Sequence, residues 1–587
     1  MRNANLLHLV DGRSTVLPMS HDIAVVGGGP GGLFLASLLA RQVPSARVVV
    51  HERNRREDAF GFGVVFSDAT LRVIDEADPV LRDALRDHGT HWDAIDVRVG
   101  GESRTFAGNG MAAVHRRVLL RRLQEEAEAV GVEIRFGEQA PTLTELRQRY
   151  DLVVGADGTG SAIRRQLEEA GHDLGHTVTT ATAKFIWFAV EHLFDGLTFL
   201  HRRDEHGAFA VHGYPISDTL STFIVETDPE TWKRAGLDAF DTDQPPGPSD
   251  ETSRVYLEAL FADDIAGARL VANNSRWASF RTRATRDWWV PGQSTADGAL
   301  APVVLLGDAV HTAHFSVGSG TKMAMEDAVV LAREVAAAST ADQLSTALPH
   351  ALGAYQAERS TAVAKIQRAA VPSLAWWERF GDYARDLDTT TFAFHFFSRS
   401  IGIDKVAQRD PALAGRVRCH WAVEHGAAPL TTPLTLVSRT TTADAVTAPG
   451  RRLQVVTDEQ GTAWLAHEST DHSTRTLLPI DGSAATAVTA PASEVGLVDV
   501  LAALPASGVV VVSGGTPLTR TLVCEEARLR RGLVAVLAVD AHDPVATDAG
   551  VETLLLSGRA DAVAVVVPAG AGETDAAQQP ELAGAAS

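Results

Sequence analysis

From His21 onward the chain alternates short apolar runs with amphipathic ones. IAVVGGG (Ile23–Gly29) is an apolar strand closing in glycines, LFLASLLAR (Leu33–Arg41) is a helix-like apolar run, and RVVVHE (Arg47–Glu52) is a second strand. That alternation predicts parallel strands joined by a crossover helix. Between residues 180 and 226 the pattern changes. KFIWFAVEHL, LTFLHR, GAFAVHGYP and STFIVET are aromatic and β-branched segments parted by turn residues, and they predict an antiparallel sheet inserted in the α/β part. Residues 302–337 return to strand, glycine-rich loop and helix, and 351–400 read as helical and rich in aromatics. A break follows near residue 430. The chain holds 21 Phe, 10 Trp and 5 Tyr, yet 431–587 contain only Trp464. The apolar runs Gly508–Gly515, Gly532–Asp540 and Asp561–Pro568 there predict a separate small α/β domain.

Composition narrows the function classes. With 587 residues, 45% hydrophobic and 22% charged, the chain is globular and long enough for several domains. A net charge of −21 disfavours a broad nucleic-acid surface. Two cysteines, Cys419 and Cys524, exclude a disulfide framework and a Cys₄ metal site. Neither a signal-peptide pattern nor an apolar run of membrane-spanning length is visible, so a cytoplasmic location without membrane partners is expected. Only five basic residues are Lys (184, 233, 322, 365 and 405), and the other 48 are Arg.

Gly27-Gly28-Gly29-Pro30-Gly31-Gly32 matches G-x-G-x-x-G through Gly27, Gly29 and Gly32. Gly27 permits the tight turn, Gly29 lets a pyrophosphate approach the backbone, and Gly32 lets helix and strand pack closely. The helix start adds free N–H groups and a positive dipole end. Glu52, with Arg53 beside it, ends the second strand and offers a carboxylate to ribose hydroxyls. This motif does not separate NAD from FAD.

Two further segments do. DLVVGADGTGSAIRR places Asp157-Gly158 after a strand, with Ser161 and Arg164 in D-G-x-x-S-x-x-R spacing. PVVLLGDAVHTAHFSVGSGTKMAMEDA places Gly307-Asp308 after another strand and Gly318-Ser319-Gly320-Thr321 before a helix. Asp308 can accept from a ribityl hydroxyl, and the helix start can face the pyrimidine end of a flavin. HRRVLLRRL adds Arg116, Leu119 and Leu123 as R-x-x-L-x-x-x-L. In these motifs and their order the chain resembles the class A flavoprotein monooxygenases, the single-component aromatic hydroxylases. The resemblance implies FAD held by the glycines named above with Glu52, Arg53, Arg116, Asp157, Gly158, Asp308, Gly318, Ser319, Gly320 and Thr321. It also implies NAD(P)H as reductant, O₂ as co-substrate, and oxygen transfer to a ring through the flavin C4a-(hydro)peroxide. Such chemistry asks the protein to exclude water and orient the ring, so the absence of a triad or metal box is consistent with it.

One departure from the family pattern is informative. The family has a proline a few residues after G-D-A-x-H, whereas HTAHFSVGSG puts Phe315 near that place. This variant is similar to the subgroup that oxygenates aromatic acyl-CoA thioesters, that of salicylyl-CoA 5-hydroxylase and 2-aminobenzoyl-CoA monooxygenase/reductase. ERNRREDAFGFGVVFSDATL, FIWFAVEHLFDGLTF and AVPSLAWWERF resemble it too. Subgroup members often end in an old-yellow-enzyme-like barrel. APLTTPLTL (Ala428–Leu436) resembles its opening and Arg528–Pro568 its final turns, but the residues between cannot supply a barrel of ~250 residues. No Tyr follows residue 430. The expected fold is therefore α/β. A Rossmann-like FAD-binding domain of the aromatic hydroxylase type (21–180 and 270–425) carries an inserted antiparallel β-sheet substrate domain (181–269). A truncated old-yellow-enzyme-like relic without flavin (426–568) follows, with a leader at 1–20 and a disordered tail at 569–587.

The resemblance implies an aryl-CoA-like small-molecule substrate, and a homodimer stays open. His212 and Tyr214 sit two apart, so a strand would point both to one face, either towards a substrate cavity or into sheet packing. His314 is a further candidate at the flavin or substrate. His311 and His314 lack a carboxylate cluster in the sequence and read as loop positions beside the cofactor, not metal ligands. Gly61-Phe62-Gly63-Val64 could cover a flavin face, and Trp376 and Trp377 read as core. Arg202, Arg203, Arg276, Arg281, Arg283 and Arg286 are the candidates for gripping CoA phosphates. Dearomatising or ring-rearranging oxygenation of the tropone/tropolone type, and a non-oxygenating flavin oxidase, are the competing activities. No W-x-W-x-I-P marks a halogenase.

Overall fold

In the computed structural model the described residues are 21–59, 61–240, 247–296, 298–340, 344–436, 445–468 and 474–568. The expected leader and tail lie outside them. The chain divides into two compact units, residues 1–101 with 108–381 and residues 102–107 with 382–587. Among the described residues no helix is long and apolar enough to cross a membrane.

The first unit is built on two sheets. One has six strands in the order Trp289–Val290, Val303–Leu305, Leu152–Gly155, His21–Val26, Ala46–Glu52, Glu133–Phe136. All neighbours are parallel except the first pair. Its central strands are continuous buried apolar runs, as a sheet covered on both faces requires. The helices Pro30–Gln42 and Gly320–Ser339 pack on each other. Gly31 lies at that junction, where an added Cβ would meet Leu306 Cδ2 at 2.7 Å and Ala324 Cβ at 3.0 Å.

The second sheet joins Leu270–Ala272, Thr177–Val190, Ser221–Thr227, Ala208–Pro215, Leu197–Arg203 and Ile95–Val99, with Ala278–Ala284 also paired to Thr177–Val190. It overruns the expected bounds 181–269 at both ends. Ile95–Val99 comes from earlier in the chain and pairs in parallel with Leu197–Arg203. One face is a dry core of Ile186, Phe188, Phe209, Val211, Phe223 and Val225, covered by the helix Glu251–Leu260 through Leu257. Alternation turns Phe185, Trp187, His212, Tyr214 and Glu226 to the other face.

The second unit has an open seven-stranded sheet in the order Thr474–Pro479, Ala463–Glu468, Arg452–Thr457, Ala562–Val566, Val534–Val539, Val509–Gly514, Ala485–Ala490. From Arg452–Thr457 to Ala485–Ala490 the strands are parallel. The helices of residues 382–425 belong with this sheet, not with the nucleotide-binding part as the expected boundary at 425 had them. A buried polar cluster explains the difference. Glu525 accepts from Tyr383 (2.6 Å), His395 (3.1 Å) and Arg559 (3.2 Å), and Arg559 donates to Ser398 Oγ (2.7 Å). Breaking such a cluster would leave a buried charge unanswered.

Candidate active site

The first unit holds a cavity of about 840 Å³, within the size range of small-molecule sites. Gly29, Gly32, Arg116, Gly158, Asp308, Gly318, Ser319, Gly320 and Thr321 all border it. Four separate stretches of sequence thus converge on one space. Gly27, Glu52, Arg53 and Asp157 do not border it.

The glycines divide their work. Gly27 has φ +113°, and a Cβ there would lie 2.3 Å from the Ala156 carbonyl oxygen. A Cβ on Gly32 would lie 2.1 Å from the Gly27 oxygen. A Cβ on Gly29 meets nothing within 4 Å, so the space beside its backbone is open for a ligand to approach. Glu52 Oε2 accepts from Gly28 N–H (2.7 Å) and Oε1 from Asn54 N–H and Nδ2 (2.8 and 2.7 Å). This braces the carboxylate at the end of its strand. Arg53 is exposed.

Asp157 Oδ2 takes the N–H groups of Ala162 and Ile163 (2.6 and 3.2 Å) at the start of the helix Ala162–Glu169, while Oδ1 is buried with no donor among the described residues. Ser161 caps the same helix by accepting from Arg164 N–H, and Arg164 donates to the Ala309 carbonyl at 2.6 Å. The D-G-x-x-S-x-x-R spacing therefore ties this loop to the turn that carries Asp308. Burial pushes the Asp308 carboxyl up, against His311, Arg116 and Arg283. Burial pulls Arg116 down, with Asp308 and Tyr214 opposing.

His311 is a correction to the sequence reading. It does have a carboxylate partner, Asp327, and lies behind the turn instead of beside the cavity. Asp327 is wholly buried and also accepts from Gly307 N–H and Arg359 Nε. Burial raises its carboxyl, but His311 and Arg359 outweigh that and hold it below the usual range. Its place sixteen residues beyond His311, on a helix, gave no local signal.

On the sheet side, Tyr214 borders the cavity and His212 does not. His212 packs against Trp377, ring centroids 4.1 Å apart, and its Nε2 lies 2.7 Å from Glu226 Oε1. His314 Nδ1 bonds Ser316 Oγ (2.8 Å), which bonds Ser373 Oγ (2.9 Å), and its Nε2 lies 3.9 Å from Glu226. Burial pushes the Glu226 carboxyl up to about 7, with His314 opposing. Burial likewise raises the Tyr214 phenol, which stays neutral. Glu226 is the residue the sequence reading missed, because one acid in an apolar strand resembles an exposed position. Trp376 and Trp377 are buried. Gly63 and Val64 border the cavity, whereas Phe62 is buried in a separate apolar cluster.

Of the six arginines proposed for a phosphate handle, Arg276, Arg281 and Arg283 border the cavity. Arg202 is held by Asp264 through two contacts, Arg203 donates to Gly381 O, and Arg286 pairs with Asp173 and Asp287. Lys184, Trp187 and Trp232 also border the cavity, and the sequence reading had not singled them out. Among the described residues Asp308 is the one acidic residue on the wall, against Arg116, Lys184, Arg276, Arg281 and Arg283.

These features fit a flavin dinucleotide. The space beside Gly29 is open, a half-buried guanidinium stands at Arg116, an acceptor at Asp308, and the helix Gly320–Ser339 starts on the cavity. Away from this unit, the ligand atoms of Asp388, His420 and Glu424 lie within 4.8 Å of one another. Asp388 there already caps the helix Thr389–Phe397.

Residues 20–370 match the family described as FAD binding domain. The chain is 49% identical over 550 residues to a salicyloyl-CoA 5-hydroxylase of Streptomyces sp., covering 92% of this chain and 99% of that one. It is 33% identical over 360 residues to a 3-hydroxy-4-methyl-anthranilyl-[aryl-carrier protein] 5-monooxygenase of Streptosporangium sibiricum, covering 61% of this chain and 90% of that one. The crystal structure of P. aeruginosa PqsL in complex with 2-aminobenzoylacetate is 25% identical, covers 61% of this chain and 97% of that one, and superposes with a TM-score of 0.45.

Proposed function

This chain belongs to the FAD binding domain family, and from that premise we propose that it inserts oxygen from O₂ into the ring of an aromatic acyl thioester, with NAD(P)H as the reductant. It is an FAD-dependent monooxygenase. The observation that carries the thioester reading is the cavity wall itself, where five cations and one acid accompany the aromatic side chains Phe185, Trp187, Phe280 and Phe315. Flavin phosphates account for part of that charge, near Gly29 and Arg116. The cations on and beside the strand Ala278–Ala284 suit a second anionic group, as the handle of a CoA thioester would be. The relative acting on salicyloyl-CoA supports the same assignment.

When bound, FAD supplies electron transfer from the reductant and the activation of O₂. The chain's own residues do the rest. The Gly29 backbone, Arg116 and the start of the helix Gly320–Ser339 hold its phosphates and ring, and Asp308 accepts from a ribityl hydroxyl. Phe185, Trp187, Phe280 and Phe315 give the cavity an apolar stretch of wall that excludes water and receives the ring. Tyr214, neutral and buried, offers a hydroxyl on the same cavity wall. Arg276, Arg281 and Arg283 hold the remote anionic end, whose binding energy orients the ring. A cytoplasmic location, where CoA thioesters and reduced nicotinamides are made, belongs to this reading.

The test is NAD(P)H consumption and O₂ uptake with and without aryl-CoA, with H₂O₂ measured alongside. Uptake stimulated by the thioester with little H₂O₂ is expected. Stoichiometric H₂O₂ and no oxygenated product would replace the reading by an oxidase, and product analysis separates hydroxylation from ring rearrangement.

A further inference from the structure

A thioester handle has several parts, and the strand pair Thr177–Val190 and Ala278–Ala284 bears on which of them the cavity holds. Their register slips: Thr180 faces Arg281, but Lys184 faces Ser279. The slip lies before Lys184, which keeps the face of Ile186 and Phe188, opposite Phe185 and Trp187. Lys184 Nζ donates to Ser279 Oγ at 3.0 Å and lies 5.0 Å from the centre of the Trp232 ring. The Trp232 indole N–H is buried with no acceptor among the described residues. Lys184, Trp232, Ser279 and Arg281 all border the cavity.

The charge here is unanswered. Arg202 and Arg286 have carboxylate partners, whereas Lys184 and Arg281 make no ion pair among the described residues. Lys184 is also one of only five lysines in a chain whose other 48 basic residues are Arg. An ammonium is a compact point charge with three donors, suited to a tetrahedral oxyanion, where the planar guanidinium suits a fork. Every polar group named at this corner is a donor or a hydroxyl, and a phosphate ester presents acceptors alone. A nucleobase fits less well, because Lys184 covers the Trp232 ring and Trp277 stands edge-on to it, with centroids 6.5 Å apart.

We propose that Lys184, Ser279, Arg281 and the Trp232 indole N–H form a phosphoryl-binding subsite for the phosphorylated pantetheine arm of the aryl thioester. That arm is common to coenzyme A and to acyl-carrier proteins. The subsite rests on the aryl-thioester reading above and adds to it the part of the substrate that is recognised.

The experiment is calorimetric titration of the FAD-loaded protein with three unreactive probes: pantetheine, 4′-phosphopantetheine and coenzyme A. Wild type should bind 4′-phosphopantetheine about tenfold or more tightly than pantetheine, as expected for a charge-assisted contact. Lys184→Met should erase most of that gain, Lys184→Arg should keep much of it, and Ser279→Ala should weaken it. FAD content and the thermal midpoint show that each variant is folded. A further gain from 4′-phosphopantetheine to coenzyme A identifies the nucleotide form as the source, and no further gain identifies the carrier-bound arm. Equal binding of pantetheine and 4′-phosphopantetheine by wild type, or an undiminished gain in a folded Lys184→Met, would overturn the subsite. O₂ uptake with an aryl N-acetylcysteamine thioester, which has no phosphate, tests the underlying reading separately. No uptake with it or with aryl-CoA removes that reading, whereas uptake without a phosphoryl gain removes only the subsite.

Discussion

Oδ2 of Asp327 lies 2.7 Å from Nε2 of His311 and also takes the N–H of Gly307, so one buried carboxylate braces both ends of the turn that carries Asp308. Asp327→Ala leaves His311 buried without its carboxylate and Arg359 with Glu326 alone, and a loss of about 3–5 kcal/mol is expected. The native carboxyl is held low. Its contribution is therefore present above the unfolded value near pH 4 and lost as pH falls through the lower folded value. The stability gap between wild type and variant, read by denaturant unfolding, should be wide at pH 7 and narrow towards pH 3. A gap independent of pH would contradict this role.

Asp308→Ala should weaken FAD retention. A hydrogen bond to a charged acceptor contributes roughly 1.5–3 kcal/mol, which is about tenfold or more in the dissociation constant. Fluorescence titration of the apoprotein with FAD measures it, and an unchanged constant would remove Asp308 from the site.

The arginines should separate by their partners. Neutralising Arg281 and Arg283, which border the cavity, should lower the preference for aryl-CoA over the free acid and flatten its salt dependence. Arg202→Gln should leave that preference alone and cost stability, because its guanidinium is already held by Asp264. Turnover of matched acid and thioester pairs at two salt concentrations decides between them.

Glu226 carries its own pH signature. Its folded value is raised to about 7, so the native state holds a proton that the unfolded chain releases near pH 4.5. Stability from this group is present below that pH and lost as pH rises towards 7. Glu226→Gln removes the loss. Its thermal midpoint should gain on wild type between pH 5 and 8, and a constant difference across that range would refute the assignment.

The purified enzyme should carry one FAD per chain. Among the described residues the parallel strands of the second unit form an open sheet, and beyond residue 430 the chain has a single aromatic residue, Trp464, to stack on a second flavin. A flavin-to-chain ratio near two, measured after denaturation, would overturn this expectation.

The nucleotide-binding part was legible because its signals are local. Gly27 and Gly32 are required by backbone approaches within a few residues of one another or of an adjoining strand, and Ser161 caps its own helix three residues on. Apolar runs such as Val303–Leu305 declare buried parallel strands directly. The alternation of His212 and Tyr214 correctly placed both on one face of a strand. It could not say that Tyr214 would reach the cavity while His212 turned to Glu226 and Trp377. Those partners come from another strand and a helix end far along the chain.

By itself, then, the sequence determined the parallel nucleotide-binding sheet, the glycine turn that opens its first helix and the presence of an inserted antiparallel sheet. All of these follow from hydrophobic period and from short-range backbone demands. Tertiary structure alone decided which cations stay unpaired at the cavity. Arg202 is neutralised by Asp264 and Arg286 by Asp173, while Lys184 borders the cavity with no carboxylate paired to it among the described residues. Whether a charge is answered depends on what lies within about 4 Å in space, where Coulomb attraction is strong, and residues 62 or 113 positions apart meet there only after the chain has folded.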